Sequence, residues 1–537
     1  MTDAPAIDRD AVIIGAGFSG LYQLHSLRDR LGLDVTVLEA GGGVGGTWYW
    51  NRYPGARCDS ESHIYCYTFS KEIYQKWQWS ERYPGHEEIR RYLQFVADEL
   101  DLARSIRLNT RVTGASYDEA TQRWTVETDS GERYRAQFLI AAVGCLSSAN
   151  VPKIPGLESF KGDWYHTAHW PHEGVDFTGK RVGMIGTGST GIQCAPVIAA
   201  EATHLTVFQR TANYSIPARN KPLTRKFVDE VRRNWEDIRA LTHRTHNGHA
   251  FTITDRSVFD VSDAEREKIY REAYAYGGLQ YRATFRDLLV DKRANDTAAE
   301  FLKQRIREIV KDPATADLLA NIDHPFAAKR PPIDTDYFET FNRENVALVD
   351  VRADPIEAIT PDGLRTGKRS FKLDTLVFAT GFDAMTGTML AIDIRGRGGR
   401  DLRSAWQAGP RNYLGLQVDG FPNLFTVTGP GSPSVLCNMP VPIEHHVDWI
   451  TACIADMRAK GLKTIEPTPE AVDDWLVQVN TVAKATLLYD VKHSWYLGAN
   501  VPGKPRVFMP YAGGMARYRQ ICADVVAAGY RGFALSA

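Results

Sequence analysis

Two glycine-rich segments, GAGFSG and GTGSTG, have the residue types and spacing that hold a phosphate group. Both follow the pattern G-x-G-x-x-G, and their glycines are Gly15, Gly17, Gly20, Gly186, Gly188 and Gly191. Glycine at these positions permits a tight turn and a close approach of the backbone to a pyrophosphate. The N-terminus of the following helix then offers free N–H groups to the anion. Alone, the pattern is a weak signal, because glycine-rich turns are common.

A charged residue follows each segment at the same distance. Glu39 lies 24 residues after Gly15, and Arg210 lies 24 residues after Gly186. A carboxylate at this position accepts hydrogen bonds from ribose hydroxyls and repels a 2′-phosphate, whereas a guanidinium pairs with that phosphate. The sequence therefore predicts one dinucleotide without a 2′-phosphate, and NADPH as the second.

The elements that position these residues form one unit that occurs twice. The strand Asp10–Ile14 precedes the first turn, leucines at helical spacing follow as far as Gly32, and a second strand ends at Glu39. The second copy has the strand Arg181–Ile185, a helix over Ile192–Ala200 and a strand ending at the arginine. Each copy is typical of a βαβ dinucleotide-binding unit.

Two dinucleotide sites on one chain indicate electron transfer between cofactors. A flavin is the natural acceptor of a hydride from NADPH, so the first site is assigned to FAD. NAD in the first site is the alternative, and it is less favoured because one chain rarely needs two nicotinamides.

The remaining patterns predict an α/β protein with two Rossmann-like domains, both discontinuous, and a helical insertion. Residues 219–325 are highly charged and carry helical patterns. Strand character returns at Leu376–Ala379 and Asn423–Thr428, and an amphipathic helix is predicted over Glu444–Ala459. The predicted boundaries are 1–144 and 382–537 for the FAD domain, 145–218 and 326–381 for the NADPH domain, and 219–325 for the insertion.

Composition excludes several function classes. The 537 residues include 64 Lys plus Arg and 65 Asp plus Glu, so no basic field favours nucleic acid. The hydrophobic share of 43% is ample for large cores. Neither a signal peptide nor a membrane span is recognisable, so we expect a cytoplasmic protein without a membrane partner. Seven cysteines without a C-x-x-C pair argue against a disulfide framework, a zinc ribbon or a dithiol centre.

Three histidines in the insertion, His243, His246 and His249, are the only candidate metal ligands. Their spacing drifts around a helix, and Asn247-Gly248 interrupts it. Three imidazoles that do not converge cannot bind a zinc ion, so no metal is predicted, and the segment is interpreted as a mobile polar loop.

The segment FKGDWYHTAHWP resembles the F-x-G-x-x-x-H-x-x-x-W-P fingerprint of type I Baeyer-Villiger monooxygenases. The matching residues are Phe160, Gly162, His166, Trp170 and Pro171. GGTWYWNRYPGARCDSES, ATGFDA, GPGSPS and SWYLGANVPGKPRVF also look like this family, closest to its phenylacetone and cyclohexanone monooxygenase group. The resemblance covers essentially the whole chain. One departure is AAVG at residues 141–144, where the family more often has ATG.

The resemblance implies a reaction. NADPH reduces FAD, dioxygen adds at flavin C4a, and the resulting peroxyflavin attacks a ketone to give an ester or lactone while NADP⁺ stays bound. Sulfide oxidation is a further reaction that such an enzyme allows. The implied partners are a ketone and O₂, and no protein partner is evident.

The resemblance also implies roles for particular residues. Arg330 is the catalytic cation, and Asp59 is the acid that holds it. FAD is lined by Gly15, Gly17, Phe18, Gly20, Glu39, Thr47, Trp48, Asp59, Tyr65, Val112 and Met439. NADPH is lined by Gly186, Thr187, Gly188, Ser189, Thr190, Gly191, Gln193, Arg210, Thr211, Lys329, Arg330 and Trp495. The ketone pocket is shaped by Ser434, Val435, Leu436, Cys437 and Asn438. His166 and Trp170 are interpreted as a hinge, with a packed core role for His166 equally open.

Three other functions remain open from the sequence. A flavin monooxygenase that oxygenates nitrogen or sulfur shares the cofactor layout but has no comparable need for Arg330 and Asp59. A flavin disulfide reductase requires paired cysteines, which are absent from the sequence. A catalytically idle nucleotide-binding module would not need Glu39, Arg210 and Arg330.

Overall fold

The computed structural model describes residues 5–537 and has α/β architecture. The strands are β1 (Ile7–Ile14), β2 (Val35–Leu38), β3 (Ile106–Arg107), β4 (Val112–Asp118), β5 (Arg123–Thr128), β6 (Arg133–Ala141), β7 (Asp163–His166), β8 (Arg181–Ile185), β9 (His204–Gln209), β10 (Ile216–Pro217), β11 (Ile333–Asp334), β12 (Val346–Asp350), β13 (Ile356–Thr360), β14 (Gly363–Thr366), β15 (Ser370–Lys372), β16 (Thr375–Phe378), β17 (Asp393–Arg395), β18 (Leu424–Thr426), β19 (Thr464–Pro467) and β20 (Phe533–Ser536).

The helices are α1 (Phe18–His25), α2 (Thr47–Trp50), α3 (Lys71–Lys76), α4 (His86–Glu99), α5 (Ser189–Glu201), α6 (Arg225–Arg233), α7 (Trp235–Arg244), α8 (Asp263–Tyr276), α9 (Lys292–Ile309), α10 (Pro313–Ala320), α11 (Tyr337–Thr340), α12 (Gly387–Ala391), α13 (Leu402–Ala405), α14 (Pro440–Ala459), α15 (Pro469–Lys484) and α16 (Met515–Ala527). Helix α1 continues into a π-helical turn, Ser26–Arg30, before Gly32.

The first sheet carries the first glycine-rich turn. Its strand order is β17-β4-β5-β6-β1-β2-β3, and β18 also pairs with β6. Strand β1 runs parallel to β2 and β6, while β4, β5 and β6 form an antiparallel meander. Because β17 and β18 come from the last third of the chain, this sheet is built from two separate stretches of sequence.

The second sheet carries the second glycine-rich turn. Its five strands have the order β12-β9-β8-β16-β7, and all four pairings are parallel. Strand β16 enters between β7 and β8 after the chain has passed through the insertion, so this sheet is also assembled from separate stretches. The two sheets confirm the α/β fold with two discontinuous Rossmann-like units, and the domain boundaries stay a prediction.

The two glycine-rich turns have matching close contacts. Gly15 (φ 101°) and Gly186 (φ 115°) each face a carbonyl oxygen, so a Cβ there would lie 2.7 Å from Ala142 O and 2.3 Å from Ala379 O. Both carbonyls belong to the residue that follows a neighbouring strand, β6 in one case and β16 in the other. The repeated motif therefore reflects the same packing of helix, turn and strand.

A separate two-stranded sheet marks the place where the insertion begins and ends. Strands β10 and β11 pair in parallel, Ile216 with Ile333, and bracket the helices α6 to α10. Side chains of α9 and α10, including Phe301 and Leu319, share one apolar core with Val182 and Val207 of the second sheet. The insertion is therefore packed against the nucleotide-binding unit rather than separate from it.

Helix α14 differs from its prediction in its first residue and in how its polar and apolar residues are distributed. It begins at Pro440, four residues before the predicted start, because proline is tolerated in the first turn of a helix. It is buried on most sides, including Glu444 and His446, so the predicted amphipathic character is wrong. Among residues 5–537, no helix combines the length and apolarity needed to cross a membrane.

Candidate active site

An arginine and an aspartate that lie 271 residues apart in sequence form an ion pair. Arg330 precedes β11, and Asp59 lies in the loop after α2. Nη2 of Arg330 donates to Oδ1 of Asp59 over 2.8 Å, and Nε donates to Oδ2. The side chains are 18% and 21% exposed, so the pair is largely withdrawn from water.

The second amino group of Arg330 is held by the turn before α14. Nη1 donates to the carbonyl oxygens of Val435 at 2.8 Å and of Cys437 at 3.2 Å. Burial lowers the pKa of Arg330, but the charge of Asp59 and the hydrogen bonds with it outweigh this and raise the pKa above its usual value. Arg330 is therefore a permanent cation in a fixed orientation.

The segment Ser434–Asn438 is fastened by the insertion. Nδ2 of Asn247 donates to Leu436 O over 2.9 Å, and the amide of Asn438 donates to Asn247 O over 2.8 Å. On the other side, Nδ2 of Asn438 donates to Ile64 O over 2.7 Å. The predicted pocket segment thus connects the FAD unit, the insertion and Arg330.

The structure corrects the interpretation of the histidine segment. His246 and His249 do not form a mobile polar loop, because His249 is 2% exposed and His246 lies against Gly514. Burial, and after it the charge of Arg282, lowers the pKa of both imidazoles. Helix α7 ends at Arg244, before the Asn247-Gly248 pair, so this pair does not interrupt it as predicted; instead Asn247 is hydrogen-bonded to the segment Ser434–Asn438.

Residues predicted to line FAD surround the first glycine-rich turn. The carboxylate of Glu39 is buried, and its oxygens accept hydrogen bonds of 2.7 Å from the amides of Ala16 and Gly41. Nε1 of Trp48 donates to Tyr65 Oη over 3.1 Å, and the Tyr65 ring lies 5.3 Å from that of Phe18. Three further residues predicted to line FAD are Thr47 at the start of α2, Val112 at the start of β4 and Met439 just before α14. Val112 is buried, and the other two are half-buried.

Helix N-termini beside both turns fit a pyrophosphate. Gly17 precedes α1 and Gly188 precedes α5, and neither helix has a side chain that caps its first N–H groups. A Cβ on Gly188 would meet no atom within 4 Å, so the start of α5 borders open space. The exposed and half-buried residues Ser189 and Thr190 lie there. Uncapped N–H groups next to free space are suited to bind an anion.

Residues predicted to line NADPH form a cluster of cations. Burial lowers the pKa of Lys329 to about 8. The charge of Asp323 opposes this shift, whereas the charges of Arg210 and Arg352 add to it. Nη2 of Arg352 donates to Thr211 Oγ1 over 3.0 Å and to Asp323 over 2.6 Å. Three basic side chains around one carboxylate leave positive charge in excess, which fits a 2′-phosphate. The sequence analysis missed Arg352, because no motif marks it and only folding brings it to Arg210.

Two other predicted NADPH residues connect elements. Oγ1 of Thr187 donates to Thr211 O over 2.8 Å, so the second turn is tied to the end of β9. Nε2 of Gln193 donates to Arg57 O, and its Oε1 accepts from Tyr53 Oη over 2.9 Å. Gln193 therefore joins α5 to the loop that carries Asp59. Trp495 is half-buried, and its ring centroid lies 4.5 Å from that of Tyr496 with the two rings tilted by 54°.

The family fingerprint forms the edge of the second sheet. His166 ends β7, is 2% exposed and lies 3.2 Å from Thr380 Oγ1. Burial, with His169 as the second cause, lowers the pKa of His166 to about 4. Trp170 packs on Tyr165 and Phe177, Phe160 packs against Gly162, and Pro171 is half-buried. None of the hydrogen bonds that Arg330 makes within residues 5–537 involves these residues, and their hinge role stays a prediction.

Comparison with known proteins identifies relatives over almost the whole length. Residues 8–221 match the family model described as "Flavin-binding monooxygenase-like". The chain is 44% identical over 98% of its length, and 96% of the relative's, to a Baeyer-Villiger monooxygenase of Pseudooceanicola batsensis. It is 42% identical, over 100% of its length and 98% of the relative's, to the phenazine N-monooxygenase PhzNO1 of Lysobacter antibioticus.

A solved structure, of an oxidized steroid monooxygenase bound to NADP, is 51% identical. It superposes with a TM-score of 0.94 over 98% of this chain and 99% of that one. Identity of this extent shows that the chain belongs to the Baeyer-Villiger monooxygenase family, whose cofactors are FAD and NADPH.

Proposed function

We propose that this enzyme uses NADPH and O₂ to insert one oxygen atom next to the carbonyl group of a ketone, giving an ester or lactone. The observation that carries the proposal is the fixed guanidinium of Arg330, held by Asp59 and by the carbonyls of Val435 and Cys437. When bound, the cofactors supply hydride from NADPH and the activation of dioxygen by reduced FAD. We also propose that NADP⁺ is retained during the oxygen-transfer step.

Arg330 stabilises the negative charge that develops on oxygen during the reaction. Four hydrogen bonds to Asp59, Val435 and Cys437 use four of the five N–H groups of a guanidinium. The remaining N–H is on Nη2, and we assign it to the reacting oxygen. A preorganised cation in a water-poor site stabilises such charge without having to reorient.

Asp59 positions this charge and moderates it. An unpaired guanidinium in a buried site is destabilising, and one carboxylate offsets it. Because Arg330 binds both oxygens of Asp59, its guanidinium is held at two points and keeps one orientation.

The cofactor-binding roles are also proposals. Uncapped helix N-termini support pyrophosphate binding at Gly17 and Gly188, and the cation cluster supports binding of the 2′-phosphate by Arg210, Lys329 and Arg352. Glu39 holds the first turn through Ala16 N while retaining free lone pairs for ribose hydroxyls.

Oxygenation of nitrogen or sulfur is a second candidate reaction. The 42% identity to a phenazine N-monooxygenase supports it, and the same cofactor layout serves both reactions. The Arg330–Asp59 pair favours ketone oxidation as the main activity, with sulfide oxidation as a side reaction.

We further propose that the reaction takes place in the cytoplasm, with the ketone and O₂ as partners and without a protein partner. The seven cysteines, which are free thiols and mostly buried, support a reducing compartment.

The proposal is tested with purified protein, NADPH, ¹⁸O₂ and a panel of cyclic, linear and aryl ketones. We expect products that contain one ¹⁸O atom, identified by mass spectrometry, and NADPH consumption that matches the product formed. NADPH oxidation that yields only hydrogen peroxide with every ketone would contradict the proposed reaction. A parallel run with a sulfide measures the side reaction.

A further inference from the structure

The two carbonyl groups that hold Arg330 belong to one short turn, the segment Ser434–Asn438. The oxygens of Val435 and Cys437 accept from Nη1 of Arg330 over 2.8 and 3.2 Å. The turn begins at Ser434, which has φ 40°, a left-handed conformation that residues other than glycine rarely adopt. A backbone in such a conformation persists when its surroundings hold it. The orientation of Arg330 therefore depends on what fastens this turn.

Asn247 fastens the turn at the peptide group between these two carbonyls. Its Nδ2 donates to Leu436 O over 2.9 Å, and its backbone oxygen accepts from the amide of Asn438 over 2.8 Å. The carbonyls of residues 435 and 437 are thus bound by Arg330, while the carbonyl between them is bound by Asn247. Because each peptide group is planar and shares its Cα atoms with its neighbours, a rotation at Leu436 would move the carbonyls on either side.

Asn247 is itself held in place by helices α14 and α16. The amide of Met515, the first residue of α16, donates to His246 O over 2.8 Å. Gly248 lies against α14, where a Cβ would come 3.1 Å from Cβ of Val441. The neighbours of Asn247 on both sides are therefore packed on other elements, and this fixes the point that its side-chain amide reaches.

The turn is also connected to the segment that carries Asp59. Nδ2 of Asn438 donates to Ile64 O over 2.7 Å, and Ile64 and Asp59 both lie between α2 and α3. Asp59 binds one edge of the Arg330 guanidinium, and the turn binds the other. Both sets of partners of Arg330 therefore belong to one hydrogen-bonded network, to which Asn247 contributes from the insertion.

We infer that Asn247 is a positioning residue that acts through Arg330. It holds the turn so that Nη1 stays bound to the two carbonyls and the remaining N–H of Nη2 keeps its direction. The inference rests on the proposed function and adds a residue of the insertion to it. A cation stabilises developing charge most effectively when its orientation is fixed before the reaction begins.

Loss of the Asn247 amide should leave Arg330 charged and paired with Asp59, but less well oriented. NADPH would then still be oxidised to NADP⁺, and its two electrons, with two protons, would reduce O₂ to hydrogen peroxide instead of supporting oxygen transfer to the ketone. The ester formed for each NADPH consumed is therefore the quantity that reports on Asn247.

The experiment compares the wild type with Asn247→Ala, which removes the side-chain amide and keeps the backbone oxygen that accepts from Asn438. The substrate is the ketone of the panel that the wild type converts fastest, at saturating concentration. We expect the ester yield per NADPH to fall about threefold or more, with a matching rise in hydrogen peroxide. The rate of flavin reduction by NADPH should change less than about twofold.

Asn342→Ala is the matched control. Asn342 is half-buried like Asn247, and its Nδ2 donates to Ile309 O over 2.8 Å. Its Oδ1 also accepts from the amide of Lys311 over 2.8 Å, so N342A should lower the melting temperature at least as much as N247A. The ester yield of N342A should nevertheless equal that of the wild type. Equal ester yields in N247A and N342A would overturn the inference, because a lost structural hydrogen bond would then account for any effect.

Two further variants test the route through Arg330. Asn247→Asp keeps the shape of the side chain and removes the N–H donor, so its ester yield should be as low as that of N247A. In the Arg330→Ala background, adding Asn247→Ala should change the residual ester formation less than about twofold, because the residue on which Asn247 acts is gone.

Three results would contradict this route. The first is a wild-type ester yield in N247D. The second is a loss in the R330A background as large as that in the wild-type background. The third is a raised KM for the ketone in N247A with an unchanged yield at saturating ketone, since Asn247 would then act on the ketone pocket alone.

Failure of the inference can be told apart from failure of the proposed function. If the wild type forms ester and N247A forms it with the same yield, the role of Asn247 is wrong and ketone oxidation stands. If the wild type forms no oxygenated product from any ketone of the panel, the proposed function itself fails.

Discussion

At the scale of single residues, the chemistry of this protein depends on which partner each charge has. Arg330 has a carboxylate and two carbonyls, so it is oriented and permanently charged. Lys329 lies among other cations and has a pKa of about 8, so its charge depends on pH in the physiological range. Arg330 and Lys329 therefore suit two different tasks: stabilising the charge of the reaction and binding phosphate.

Replacing Arg330 with alanine should separate the two half-reactions. Reduction of the flavin by NADPH should continue within about threefold, because the hydride transfer does not need this cation. Ester formation should fall about 100-fold or more, the usual effect of removing a charge-stabilising donor. Stopped-flow absorbance measures the first step and product analysis the second.

Arg225→Ala is the control, since the Arg225 side chain is 96% exposed. It should behave like the wild type in both steps. Ester formation by R330A at a rate near that of the wild type would show that the assigned role of Arg330 is wrong.

The lowered pKa of Lys329 predicts that coenzyme binding depends on pH. A lysine is charged below its pKa and neutral above it, so the attraction for the 2′-phosphate should weaken as the pH rises through about 8. kcat/KM for NADPH should fall over this range, while kcat/KM for NADH should not. Lys329→Arg should remove the decline, because arginine keeps its charge.

Arg210→Ala serves as the companion variant, and it should narrow the preference for NADPH over NADH at every pH. A decline with pH that is identical for NADH, or that persists in K329R, would exclude Lys329 as its origin.

At the scale of elements, each nucleotide site depends on a strand, a glycine turn and a helix packed without a gap. A Cβ on Gly20 would lie 1.8 Å from Gly15 O, and a Cβ on Gly191 would lie 2.2 Å from Gly186 O. These distances are far inside van der Waals contact. The glycines therefore set how closely α1 and α5 approach their turns, and with that the position of the N–H groups that face the cofactors.

Gly20→Ala and Gly191→Ala should have different effects. G20A should lose bound flavin and lower the thermal stability, because α1 must move away from the core of the first sheet. G191A should keep the yellow flavin but lose NADPH-dependent turnover, because α5 lies at the second site. Absorbance spectra, thermal melting and NADPH kinetics distinguish the two outcomes.

Gly85→Ala is a suitable control. Gly85 also precedes a helix, has φ −71°, and its Cβ would lie 3.9 Å from the nearest atom. Loss of flavin from G191A but not from G20A would contradict the assignment of the two sites.

At the scale of the whole molecule, the two nucleotide units are connected by two neighbouring segments of the chain, residues 148–150 and 381–383. The amide of Asn150 donates to Gly381 O, and the amide of Asp383 donates to Ser148 O, each over 2.9 Å. Thr380 connects them, because its hydroxyl donates to Asn150 O and contacts His166. Through its contact with Thr380, His166 is therefore placed to stabilise both connecting segments. Its lowered pKa keeps the imidazole neutral.

Replacing His166 should affect the rate without affecting the pH profile. The pKa of about 4 means that His166 does not change its charge between about pH 6 and pH 9. His166→Gln should lower kcat for ester formation while the shape of the profile stays that of the wild type. Loss of one limb of the profile in H166Q would instead identify His166 as an acid or base, and an unaltered kcat would leave it only a packing role.

The sequence determined the local features of this protein. The two glycine turns, the charged residues 24 positions beyond them and the strands around them follow from short-range patterns, and the structure has them where they were predicted. The α/β fold and the two cofactors were predictable for the same reason, because a turn that approaches a pyrophosphate allows few residue types. The family was predictable from the fingerprint that contains Phe160, His166 and Trp170.

The tertiary structure decided what depends on residues far apart in the chain. No sequence pattern places Arg352 beside Lys329, docks Asn247 on Leu436, or brings Asp59 to Arg330. The burial of His249 and of helix α14 was missed because polar residues and prolines look like surface or loop signals when neighbours in space are unknown. Charge balance and burial are sums over spatial neighbours, so only the folded chain fixes them.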